Sequence, residues 1–440
     1  MSADYDRSSA ESIFHFAKKL TGRSLSEVVV LPPEITNKKN RGDLGSLVEK
    51  YFFENEPPNN SGPDFPDAGL ELKTTGVVRN SKGEIKAKER LVLTMINYTS
   101  ILEESWHNSS FLEKCKYMLI MFYLYDKSLS VTERKFILDP LIYKIPENDL
   151  KIIKQDWEFI KHKISEGKAH ELSEGDTFYL GACRKGSGGD KERLIEYPAS
   201  KTKAKSRAFA FKQTYVNSLI TSHITENPVF ELGVTETLED ATYRKFETYI
   251  GRSIDEIAKK FDYFKKGKNH KGYKYELALR IISGKGNKIP ELEKANIEIK
   301  TISLNPKGLP REHMSFPGFR FMEIINEDWE DSKFFEKIEK KFLFVVFQID
   351  SLGVERLVKV GYWNMPFEDR IEAEKVWSRT KKMVSIDCTK LPAASESRVA
   401  HVRPKAKDGK DKIITPQGIL HVKQCFWLNR EYIHSVINSI

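Results

Sequence analysis

PDFPDAGLELKT, residues Pro63–Thr74, decides how the rest of the chain is read. PD at its start, with a proline and a glycine inside it, marks a turn, and LELKT then alternates apolar and polar residues as a half-buried strand does. In such a strand Glu71 and Lys73 project together while Leu70 and Leu72 turn into the core. The turn predicts a hairpin that returns Asp64 beside Glu71. Two adjacent carboxylates with a lysine on the same face are the parts that phosphodiester hydrolysis requires. Asp64 and Glu71 hold Mg²⁺, and Lys73 orients the attacking water or stabilises the transition state. The same spacing also describes a surface hairpin with an ordinary Glu–Lys pair, so the surroundings must decide.

Working outward, the chain repeats itself. GRSLSEV from Gly22 is answered by GRSIDEI from Gly251, RGDLGSL from Arg41 by KGYKYEL from Lys271, and PDFPDAGLELKT by PELEKANIEIKT from Pro290. ESWHNSSFLEK from Glu104 returns as EDWEDSKFFEK from Glu327, Pro146 and Trp157 are spaced as Pro366 and Trp377 are, and FKQTYVNSLI, ending at Ile220, matches WLNREYIHSVI, ending at Ile437. The offset stays between 217 (Ile220 to Ile437) and 230 (Arg41 to Lys271) and the order is kept, which is a tandem duplication of one domain. The expected units are 1–222 and 223–440, joined through the polar stretch TSHITENPVFELGVT.

Each copy mixes helices and strands. Helical spacing covers Ser9–Leu20 and Leu44–Phe53, and a polar helix is expected over Glu147–Ile164. Strands are expected at Leu70–Thr75, Arg90–Asn97 and the apolar run YMLIMFYLY from Tyr117. This alternation implies two α/β (α+β, mixed-sheet) domains. The apolar run has nine residues against the roughly 20 that a bilayer span needs, so it reads as a buried strand and no membrane association is expected. The polar start MSADYDRSSAES suggests no signal peptide, and the expected location is cytoplasmic. Cys115, Cys183, Cys388 and Cys425 are scattered and form no CxxC pair, which supports neither zinc nor a disulfide framework. A net charge of +9, from 72 Lys and Arg against 63 Asp and Glu, suits a phosphate-backbone partner.

Glu49, on the helix LGSLVEKYFF, is flanked by apolar residues and points towards the site or its rim, and Lys114 precedes the buried strand with a second positive charge. With these in place, NRGDLGSLVEKYFF, PDFPDAGLELKTT and KAKERLVL together resemble the catalytic region of the MutH family of strand-nicking mismatch-repair endonucleases. The resemblance is stronger still to the GATC-cutting type II restriction endonucleases that carry two MutH-like domains in one chain. It implies the PD-(D/E)xK nuclease fold, Mg²⁺ dependence and recognition of GATC in double-stranded DNA. It places Glu49, Asp64, Glu71, Lys73 and Lys114 on the family's active-site positions, with Glu49 joining Asp64 and Glu71 as metal ligands.

The second copy departs from this pattern. Glu291 stands for Asp64 and Leu279 for Glu49, while Glu298, Lys300 and Lys337 are kept. A longer carboxylate displaces the metal and one acidic group is lost, so this copy is expected to bind DNA without cutting it. Its VRPKAKDGK from Val402 resembles the loop through which the family reads base edges: Arg403 suits a bidentate pair to guanine and Lys405 a base or phosphate. Trp427 stands where the family has a base-contacting tyrosine. In the first copy ACRKGSGG offers Arg184 and Lys185, and the alternating KTKAKSRAFAFK (Lys201–Lys212) offers Lys205, Arg207 and Lys212 to the backbone.

The expected function is therefore a type II restriction endonuclease, cutting with its first domain and using the second as a DNA-binding effector. The alternatives are a MutH-type nicking repair enzyme, against which the duplication counts, and a sequence-specific DNA-binding protein without catalysis. A cognate DNA methyltransferase is implied as a genetic rather than physical partner. Whether two chains assemble on DNA is open.

Overall fold

A computed structural model describes residues 4–32, 35, 44–55, 62–185, 194–224, 237–263, 272–284 and 289–440. Arg41–Asp43, Gly186–Gly189, Lys271 and most of the expected junction, 225–235, lie outside the described residues.

The first half carries β1 (Glu71–Arg79), β2 (Ile85–Ala87), β3 (Leu91–Met95), β4 (Tyr117–Leu124), β5 (Leu141–Lys144), β6 (Leu180–Arg184), β7 (Leu194–Tyr197), β8 (Ser200–Lys205) and β9 (Arg207–Phe211). The second carries β10 (Glu298–Leu304), β11 (Met314–Phe319), β12 (Phe342–Ile349), β13 (Glu355–Trp363), β14 (Ala400–Pro404), β15 (Lys412–Ile414), β16 (Leu420–Val422) and β17 (Gln424–Leu428). The sheets are β2-β1-β4-β5 and β3-β9-β6 with the ribbon β7–β8, then β10-β12-β13 and β11-β17-β14 with the ribbon β15–β16. Apart from β2 the second list repeats the first, down to a parallel central pair: Glu71 lies opposite Met118 on β4 as Glu298 lies opposite Phe342 on β12. The duplication read from the sequence is a duplication of topology, in mixed α/β domains.

The apolar run is β4, and it is apolar on both sides because both sides are covered. Met118, Ile120 and Phe122 join one cluster, while Leu119 and Met121 join another with Leu70, Leu72 and the helix that holds Val48 and Phe52. The expected helix at Ser9–Leu20 is Ala10–Ala17 followed by a 3-10 turn, with Ser9 Oγ accepting from the Ser12 amide at 3.2 Å. The polar helix runs Glu147–Ser165. Leu44–Leu47 is α-helical, but Val48–Phe52 widens into a π turn, a distortion that often marks functional sites.

The two halves share a core. The largest cluster unites first-half residues such as Phe209, Phe211 and Tyr215 with Leu277, Leu292 and Ala295 of the second. Lys294 of the second half pairs with Asp149 of the first at 3.1 Å. All four cysteines are buried thiols. Among the described residues no helix is long and apolar enough to cross a membrane.

Candidate active site

Phe65 and Leu70 exchange backbone hydrogen bonds of 2.9 and 3.1 Å around a 3-10 turn at Pro66–Ala68, closing the hairpin expected from the sequence. Gly69 ends the turn at φ +60°, a conformation glycine adopts without strain. The closure sets Asp64 against the start of β1: the Asp64 amide donates to Glu71 Oε2 at 3.2 Å, and Asp64 Oδ2 accepts from the Leu72 amide at 2.9 Å. Glu71 is fully buried. Its Oε1 receives Lys73 Nζ at 2.5 Å and lies 3.5 Å from Lys114 Nζ, which reaches in from the end of the helix Ser110–Cys115.

Glu49 projects from the π turn into the same charge cluster. Burial, then the charges of Asp64 and Glu71, raise its pKa to about 7. Glu49 Oε1 is buried with no hydrogen-bond partner. Burial likewise raises the Glu71 carboxyl, although Lys73 opposes it. Burial by itself would lower Lys73, but the Glu71 charge and hydrogen bond outweigh it, so the ammonium is held above its ordinary value.

Glu49, Asp64, Glu71, Lys73 and Lys114 are therefore brought together. The expected three-carboxylate metal geometry is not formed as the side chains stand: among the described residues no group of three His, Cys, Asp or Glu is arranged to hold an ion. The physical reason is that Glu71 Oε1 turns to two lysines. The donor set nevertheless fits a cation: the Glu49 oxygen is buried without a partner, and the Glu49 carboxyl is raised first by burial and then by the charges of Asp64 and Glu71 beside it, both of which a cation would relieve.

Of the corresponding residues of the second half, Glu298, Lys300 and Lys337 stay together but no second carboxylate joins them. Pro290–Lys294 folds as an α-helical turn, which carries Glu291 away from Glu298. Glu291 is buried with Oε2 unpartnered, and the charges that act on it are Lys294 and Asp149 of the first half. Glu298 pairs with Lys300 at 2.7 Å. Burial would raise it, but Lys300, Lys340 and Lys337 together hold its pKa low. Leu279 is buried at the place of Glu49. A lone carboxylate among three lysines has no charge to offer a divalent ion.

The expected DNA-contact residues divide. Arg403 and Lys405 are exposed at the end of β14, the Arg403 guanidinium lies 5.6 Å from the centre of the Trp427 ring, and Lys405 Nζ donates to the Phe316 carbonyl at 2.8 Å. Arg207 and Lys212 are a correction to the sequence reading. Arg207 is 6% exposed and donates to the carbonyls of Ala182 (2.7 Å) and Leu172 (2.6 Å). Lys212 is 2% exposed, donates to the Thr177 carbonyl at 2.5 Å, and burial lowers its pKa to about 8. Both cations satisfy interior carbonyls and neither reaches a phosphate.

Arg184 and Lys205 face a cleft of about 1120 Å³ between the halves, which Lys185 also lines. There Glu330 of the second half pairs with both, with Lys205 at 2.6 Å, and Arg184 lies 5.1 Å from the Phe335 ring. Sequence reasoning missed Glu330. Its signal was available: EDWED in the second copy replaces ESWHN in the first, adding acids at 328, 330 and 331, all of which line the cleft.

The model of the DNA mismatch repair enzyme MutH matches residues 53–156 and 282–369, one segment in each half. The type II restriction enzyme Sau3AI of Staphylococcus aureus is 31% identical, with 98% of both chains covered. The DNA mismatch repair protein MutH of Buchnera aphidicola is 26% identical, and its match takes in 96% of that protein but 48% of this chain, as a duplicated domain requires. The chain belongs to the MutH-like family of endonucleases, in its two-domain form shared with a type II restriction enzyme.

Proposed function

We propose that the chain hydrolyses double-stranded DNA at GATC as a type II restriction endonuclease dependent on Mg²⁺. Residues 1–222 cut, and residues 223–440 bind DNA as an effector. The observation that carries this reading is the convergence of Glu49, Asp64, Glu71, Lys73 and Lys114 at the head of a parallel strand pair. Glu49, Asp64 and Glu71 would hold Mg²⁺, which would supply Lewis acidity towards water and the scissile phosphate. Lys73 and Lys114 set two ammonium groups where negative charge grows on the phosphoryl oxygens, in a buried place where each counts for more than in water. The Asp64 carboxylate is held in place by the Leu72 amide, so its position is set before DNA arrives.

Among the described residues the second half has no such constellation, and its exposed Arg403 and Lys405, with the half-buried Trp427, are left for binding. Its Glu330 already occupies Arg184 and Lys205, so DNA entering the cleft between the halves must take both cations from that carboxylate. A ligand that favours the separated arrangement activates cutting by its difference in affinity for the two states.

The test is incubation of unmethylated plasmid with and without Mg²⁺, beside Asp64→Ala and Glu291→Ala. Discrete Mg²⁺-dependent fragments from wild type and Glu291→Ala, and none from Asp64→Ala, are expected. Absence of cleavage by wild type on every methylation state of the plasmid removes the enzymatic reading.

A further inference from the structure

The ribbon β15–β16 is the place where the two copies differ in a way the catalytic assignment does not use. Ile414 lies directly opposite Leu420, and Ile413 opposite His421. The two cross-strand pairs face opposite ways, as pleating requires. Ile413 packs on the domain core and the His421 ring sits edge-on to Phe321, so this pair faces in. Ile414 and Leu420 face out, 54% and 63% exposed, with Ile419 beside them at 65%. The first copy's ribbon β7–β8 exposes a single aliphatic residue, Leu194 (55%), which lies opposite Lys205, and carries an ion pair between Lys203 and Glu196 at 2.7 Å. An aliphatic pair on the open face of a two-stranded ribbon has no folding role to explain it.

The ribbon is held rigidly. Thr415 and Ile419 close the turn through a 2.9 Å backbone hydrogen bond, Gly418 turns at φ +77°, and Gln417 Nε2 donates to the Val384 carbonyl at 3.0 Å. It also continues the strand pair that bears Arg403 and Trp427, because the Lys405 amide donates to the Lys423 carbonyl at 3.0 Å between β14–β17 and β15–β16. Lys412 lies two residues before Ile414 on β15, on the same face, and Lys407 and Lys410 stand in the segment that leads into the ribbon; all three are exposed and none is in an ion pair among the described residues, although Asp411 attracts Lys407. Of the two acids in this stretch, Asp411 pairs with Lys423, and Asp408 accepts from the amides of Lys410 and Asp411.

This charge pattern selects the occupant. A second copy docked symmetrically on the face would set these lysines against their own equivalents, whereas a phosphate backbone pairs with all three. An exposed apolar pair on a hydrogen-bonded ribbon, with lysines along the strand and the segment leading into it, is the layout of side chains that enter between base steps. We propose that Ile414 and Leu420 form an aliphatic wedge that parts one base step of duplex DNA, with Lys407, Lys410 and Lys412 on the flanking phosphates. The inference rests on the reading that the second half binds DNA, and adds that this half deforms what it binds.

The test uses the full chain in chelator, so that nothing is cut, and a duplex of about 30 base pairs. The duplex holds one GATC, with 2-aminopurine placed in turn at each step in and beside it. Wild type is expected to raise fluorescence at one position. Ile414→Ser/Leu420→Ser is expected to abolish the rise and weaken binding on the order of tenfold, with the slope of log affinity against log salt unchanged. Ile414→Val/Leu420→Met keeps the rise, and Lys412→Gln lowers the salt slope by about one. Tight binding with no rise at any position, or a rise that survives the double serine variant, overturns the wedge and leaves DNA binding standing. No binding by wild type overturns both. Self-association of DNA-free wild type that the serine variant abolishes assigns the face to a second copy and overturns the wedge.

Discussion

Glu49 was the least conspicuous of the candidate carboxylates in the sequence, and it is the one whose environment is most informative. Its carboxyl titrates at 4.5 when unperturbed and at about 7 in the fold, with burial as the leading cause and Asp64 and Glu71 next. Between these values the folded chain keeps a proton that the unfolded chain has lost. Stability therefore falls as pH rises from 4.5 to 7, and the cost persists above. Glu49 is half-buried, so screening reduces the cost to about 1–2 kcal/mol. Glu49→Gln should raise the melting temperature of metal-free protein at pH 8, with the gain vanishing below pH 4.5; thermal scans across pH check both ends. The same variant should weaken Mg²⁺ binding, measured by calorimetry, because the charge that the cation offsets has been removed.

The element that matters most is the short hairpin ahead of β1. Its closure depends on Gly69 in the left-handed region, where an added Cβ meets nothing within 4 Å, so the penalty for a side chain is conformational and not steric. Gly69→Ala should cost roughly 1 kcal/mol, and Gly69→Asn less, because asparagine tolerates this region; urea unfolding distinguishes the two. In the second copy the same stretch, PELEKAN, forms an α-helical turn, and this one difference of local structure takes Glu291 out of reach of Glu298.

At the scale of the whole molecule the halves are joined by more than a linker. Asp149 and Asp369 hold equivalent places in the two copies, each accepting from a tyrosine, Tyr215 at 2.8 Å and Tyr432 at 2.6 Å. Asp369 finds its cation, Arg398, inside its own half. The position matching Arg398 in the first half is Phe178, and Asp149 takes Lys294 from the other half instead. Lys294→Ala leaves a buried carboxylate unpaired and should cost about 3 kcal/mol. Arg398→Ala, whose arginine is largely exposed, should cost less than 1 kcal/mol. Denaturant melts of the two variants give the comparison directly.

By itself the sequence determined the duplication, the mixed α/β class, the buried strand β4 and the hairpin that pairs Asp64 with Glu71. These are local: turn chemistry, residue alternation and repeated spacing act over a dozen residues and are written in order along the chain. Only the tertiary structure decided where long side chains end. Arg207 and Lys212 sit in a basic, alternating stretch that reads equally well as a DNA-facing strand, and they are interior because carbonyls of Leu172, Thr177 and Ala182 meet their charged heads. Glu291 points at the first half, and Glu330 holds Arg184 and Lys205 across the cleft, for the same reason. A charge is paired by whatever the fold brings within a few ångströms, and that neighbour comes from a part of the chain that no local pattern names.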